Sequence, residues 1–90
     1  MHPEIIRKMN EIIGRIKVID REISAYGSMY EKKNVARSRT PDIMKKFGEL
    51  GKIIAEKGAD AQTNKYYTEL TNEITRVLNV KDPMEFKFPI

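Results

Sequence analysis

Large apolar residues recur through the first third of the chain in alternating steps of four and three: Ile5, Met9, Ile12, Ile16, Ile19, Ile23, Tyr26 and Tyr30. That rhythm sets one side chain per turn on one face of a long helix, and the stripe needs a partner along its length. In heptad terms Met9, Ile16, Ile23 and Tyr30 stand at a, and Ile5, Ile12, Ile19 and Tyr26 at d. Ile6 and Ile13 fall at e and widen the stripe in its first half, a pattern that favours three or more packed helices over a two-stranded dimer. Pro3 suits the first helical turn, and Glu4 suits the positive end of the helix dipole. Gly27 is a competing stop. Tyr30 keeps the register beyond it, so the spacing predicts a helix over 3–30.

Residues 31–40 lose the rhythm and read as a basic connector. Thr40, Pro41 and Asp42 then carry the marks of a helix start: a threonine cap, proline in the first turn and an acid beside it. The helix predicted over 41–57 has Ile43, Phe47, Leu50 and Ile54 on its apolar face, with Met44 and Ile53 alongside and Gly58 as its C-cap. Gly48 and Gly51 inside it either weaken the helix or permit a close helix–helix approach. A third helix is predicted over 60–79, with Tyr67, Leu70, Ile74 and Val77 facing inward and Lys65, Glu69, Asn72, Glu73 and Arg76 on a solvated face. The period changes to two at the end of the chain, where Met84, Phe86, Phe88 and Ile90 alternate with Glu85, Lys87 and Pro89. Pro89 restricts such a segment to a sheet edge. The tail, 80–90, is expected either to pin itself across the helices or to add a strand to another chain. The fold class is therefore all-α: one domain, 1–90, a three-helix bundle or hairpin with a long heptad-patterned first helix and an extended apolar tail.

The chain has 90 residues and no cysteine, and its single histidine is His2. So short a chain buries a modest fraction of its surface, and small proteins offset this with disulfides, metals or association. Disulfides are excluded here, and one terminal histidine makes a poor zinc site. Association remains: the stripe from Ile5 to Tyr30 is the expected interface, in a homo-oligomer or a larger complex. No apolar run reaches the ~20 residues of a membrane span, nor the length of a signal-peptide core. A cytoplasmic protein is expected.

The net charge of +4 is concentrated. Residues 31–46 carry six basic side chains (Lys32, Lys33, Arg37, Arg39, Lys45, Lys46) against Glu31 and Asp42, whereas the flanking segments are nearly balanced. Arg37 and Arg39, set just before the expected helix start at Thr40, suggest an anion or nucleic-acid contact extended by the lysines. No aromatic residue within the window offers a stacking platform. The run from Arg37 to Pro41 also resembles a kinase site around Ser38 and Thr40. No phosphate loop, nucleophile–base pair or carboxylate cluster accompanies these features. The expected role is a non-enzymatic assembly or adaptor subunit without cofactor, metal or small-molecule substrate, with nucleic-acid binding through 31–46 as the alternative.

Overall fold

A computed structural model of the protein describes residues 1–80; the tail residues Met84, Phe86, Phe88 and Ile90 lie outside the described residues. The described chain is all-helical and folds as a bundle of three helices, α1 (Pro3–Ser24), α2 (Met29–Lys57) and α3 (Ala61–Leu78). His2 Nδ1 accepts the Glu4 N–H at 3.1 Å and caps α1, with Pro3 in the first turn as its fixed φ favours. Asp60 caps α3: one carboxylate oxygen accepts the Thr63 N–H at 2.7 Å and the Thr63 hydroxyl at 2.8 Å. Gly58, at φ 85°, ends α2 in the backbone region that only glycine enters cheaply, as expected of it.

The break between the first two helices lies at 25–28, not after Tyr30. Ser28 starts α2: its Oγ accepts the Glu31 N–H at 3.1 Å and donates to Glu31 Oε1 at 3.1 Å. Serine followed three residues later by glutamate is the spacing of a capping box. Residues 31–40, expected as a connector, are consequently helical. Pro41 lies inside α2 rather than at its start, and Thr40 is no cap, because its hydroxyl donates to the Ala36 carbonyl at 2.8 Å. The stretch is held helical by contacts on its inner side, where Ala36 and Ile43 are fully buried.

α2 runs back along α1, and the two are joined by five ion pairs in antiparallel order. Glu4 meets Lys57 at 4.0 Å, Lys8 meets Glu49 at 2.8 Å and Glu11 meets Lys46 at 3.0 Å. Arg15 meets Asp42 at 2.9 Å and Glu22 meets Arg39 at 2.8 Å. α3 returns parallel to α1: the Met1 amino group lies 3.2 Å from Asp60 and Arg76 lies 3.3 Å from Asp20. The core between the helices is Ile5, Met9, Ile12, Ile16, Ile19 and Ile23 from α1, Ala36, Ile43 and Leu50 from α2, and Leu70, Ile74 and Val77 from α3. Phe47 stacks on Tyr67 with ring centroids 4.9 Å apart, joining α2 to α3. Gly48 and Gly51 mediate no close approach, since a Cβ at either would meet nothing within 4 Å.

Candidate interaction surface

Six residues of the predicted interface, from Ile5 to Ile23, are at most 4% exposed and belong to the chain's own core. The partner that their spacing demands is supplied by α2 and α3, so in this fold the stripe offers no docking face. Tyr26 and Tyr30 leave the stripe, because the turn at 25–28 resets the helical phase and assigns Tyr30 to α2. They stand instead at the tip of the α1–α2 hairpin with Met29. Tyr26 is 42% exposed, Met29 53% and Tyr30 77%, a gathering of large apolar side chains at one end of the molecule. Isolated exposed apolar residues are ordinary; a cluster at a tip is informative.

The basic residues divide into two groups once the window is helical. Arg39 binds Glu22 through Nε and Nη2, at 3.2 and 2.8 Å, and that hydrogen-bonded carboxylate raises the guanidinium pKa above its ordinary value. Lys46 binds Glu11, whose carboxyl is held below the usual range first by Lys46 and then by Lys8. Both cations are therefore engaged between helices. Lys32, Lys33, Arg37 and Lys45 make no ion pair among the described residues. Tyr30, Lys33, Arg37 and Thr40 follow at helical steps and share one face of α2. Lys33, Arg37 and Thr40 border a polar hollow with Leu78 and Asn79 at the end of α3, where cations complement the negative end of that helix dipole. The anion site expected ahead of Thr40 is not formed, because the backbone at 37–40 lies inside a helix. Ser38 and Thr40 likewise sit within α2, their hydroxyls bound to the Val35 and Ala36 carbonyls.

A second feature lies on the opposite side of α1. Ile6 and Ile13, the positions that widen the stripe, border a groove of about 270 Å³ between α1 and α3. Met1, Met9, Asn10, Gln62, Tyr66 and Leu70 complete its lining. Gln62, Tyr66, Glu69 and Glu73 follow at steps of four, three and four, which places Glu69 on the α1-facing side of α3. Glu69 was expected in solvent, yet it is 2% exposed, and neither carboxylate oxygen has a hydrogen-bond partner. Glu73 and Asp20 both engage Arg76 one turn further on, raising its pKa, with Glu73 the larger influence. A charge-pattern reading of α3 could not find Glu69, because its spacing from Glu73 and Arg76 is that of an exposed face.

Among the described residues no three His, Asp or Glu side chains gather in positions able to hold a metal ion. No helix among them is long and apolar enough to cross a membrane. Comparison with known proteins finds no matching family, no matching curated relative and no matching solved structure.

Proposed function

We propose that the protein is a non-enzymatic assembly or adaptor module that docks through the tip of its α1–α2 hairpin, on a second copy of itself or on another subunit. The observation that carries this reading is the exposure of Tyr26, Met29 and Tyr30 together. Tyrosine and methionine suit such a role: both cover much apolar area, and the tyrosine hydroxyl stays satisfied in water. The isoleucine stripe then acts indirectly by holding the hairpin that presents the tip. Lack of cysteine fits a cytoplasmic setting.

A second reading, nucleic-acid binding, is favoured by one arrangement. Tyr30 offers an aromatic face on the same side of α2 as Lys33 and Arg37, which supplies the stacking group that the basic window lacks in sequence.

The test is a photo-crosslinking residue at position 30, irradiated in the cells that make the protein, with position 52 on the exposed far end of α2 as control. A discrete adduct from position 30 alone is expected. Mass spectrometry of that adduct separates a second copy or another protein, which supports docking, from nucleic acid, which supports the alternative. No adduct, or the same adducts from both positions, refutes the tip as an interaction surface.

A further inference from the structure

We infer that the outward face of α2, from Tyr30 to Lys45, is the seat of an acidic amphipathic helix belonging to a different protein. The inference rests on the hairpin tip as a docking point and adds the chemistry of what docks there.

Tyr30, Lys33, Arg37, Pro41, Met44 and Lys45 follow along α2 at steps that keep them on one face, opposite the buried Ala36, Ile43 and Leu50. All six are exposed. Tyr30 and Met44, 77% and 50% exposed, stand about 21 Å apart at 1.5 Å per residue, with Lys33 and Arg37 between them. Over that length no carboxylate lies on the face, because Asp42 is turned to Arg15 and Glu31 to Ser28. The ion pairs of α2 draw their cations from Arg39, Lys46 and Lys57 instead. The face thus carries three positive charges and two apolar pegs, with no counter-charge of its own.

The described residues offer no complement to it. Their carboxylates are engaged by cations or by the Ser28 cap, and Glu69 is buried. Glu56 alone among them is exposed with neither ion pair nor hydrogen bond. A second copy therefore has no acidic face among these residues to lay on α2. A twofold contact through this face would also set Lys33, Arg37 and Lys45 against their own counterparts.

The spacing points to a helix as the occupant. Lys33 and Arg37 are one turn apart and Lys45 two turns further, which a helix laid alongside meets with carboxylates at steps of four. Tyrosine and methionine then take its apolar side chains. A phosphate strand fits this face less well, since Tyr30 is a single stacking platform and Met44 serves no phosphate.

The probe is a fluorescein-labelled, end-blocked helical peptide of about 20 residues, with glutamate at steps of four and leucine alongside. Titrated with the full chain at low ionic strength, its anisotropy is expected to rise to saturation, and added salt to weaken binding. Lys33→Ala, Arg37→Ala and Lys45→Ala together should weaken binding about tenfold or more. Lys17→Ala, Lys52→Ala and Lys65→Ala remove the same charge from other exposed positions and should cost no more than about twofold. Tyr30→Ser with Met44→Ser should weaken binding at an unchanged salt dependence. No saturation, or equal losses from the two triple variants, overturns the acidic helix. A thymidine oligonucleotide bound more tightly than the peptide, and lost on the Lys33, Arg37 and Lys45 variant, overturns it in favour of nucleic acid. A dimer seen by light scattering and dispersed by Tyr30→Ser with Met44→Ser overturns it in favour of a second copy. Crosslinking from position 30 separates this inference from the reading beneath it. An adduct there without peptide binding keeps the tip and removes the acidic helix, whereas neither adduct nor binding removes both.

Discussion

Replacing Pro41 with alanine tests the continuity of α2, on which the placement of Tyr30, Lys33 and Arg37 depends. Proline has no N–H, so in the interior of α2 the Arg37 carbonyl lacks its usual donor four residues on, and the ring crowds that carbonyl. The penalty relative to alanine is about 3 kcal/mol in a helix interior. Alanine also loosens the unfolded chain, which offsets about 0.4–1 kcal/mol of the gain. Pro41 is exposed, so no core contact is lost. A net gain of about 2 kcal/mol remains, which for a domain this small raises Tm by about 8–16 °C. In urea, followed by far-ultraviolet circular dichroism, the midpoint should rise by about 1 M at unchanged slope. Had the helix begun at Thr40, proline would occupy its favoured first-turn position, and the exchange would be neutral or destabilising. An unmoved or lowered midpoint would therefore falsify a continuous α2 and return 31–40 to a connector.

Gly48→Ala with Gly51→Ala should stabilise by about 1 kcal/mol each, since the new Cβ atoms enter open space; a fall in Tm would show instead that something packs closely against that face. Asp60 should titrate at about pH 2, below its ordinary 3.8, because its carboxylate accepts the Thr63 N–H and hydroxyl and lies beside the Met1 amino group. A depressed folded-state pKa means that this stabilisation is complete above about pH 4 and fades as the pH falls through about 2. Carboxyl-detected NMR gives the midpoint, and a value near 3.8 would show that the cap does not hold the charge.

The parts of this fold legible in sequence are those where one signal acts alone. From Ile5 to Ile23 nothing competes with the 4-3 spacing, and all six residues are buried. Gly58 stands alone after Lys57 and caps α2 as read. Confusion arises where two valid signals conflict. Tyr26 and Tyr30 extend the stripe in register, yet Ser28 and Glu31 carry a helix start of their own, as sound as that of Thr40 and Asp42. Which start prevails depends on tertiary contacts: Ala36 against the core and Arg39 on Glu22, partners distant in sequence. Ala36 is too small to register as an anchor in a pattern of large residues, so the periodicity of 31–40 looked lost when it was only muted. Burial of Glu69 is illegible for the opposite reason, because a glutamate beside Glu73 and Arg76 carries no local mark that it is buried. The tip and the groove are products of the hairpin turn and of parallel α1–α3 packing, neither of which the spacing specifies.

The five ion pairs between α1 and α2 have a consequence for how the hairpin finds its alignment. Its apolar contact is made largely of isoleucine, a rail that looks much the same one turn up or down. The charges along it alternate in sign: Glu4, Lys8, Glu11, Arg15 and Glu22 on one helix face Lys57, Glu49, Lys46, Asp42 and Arg39 on the other. Sliding one helix by a turn brings like charges opposite one another at several rungs, while the greasy rail objects little. Alignment is thus stored in the wet edge of the interface and adhesion in its dry centre. Because exposed charges are screened by salt, the two are separable: concentrated salt should leave the helices joined but less certain of their places.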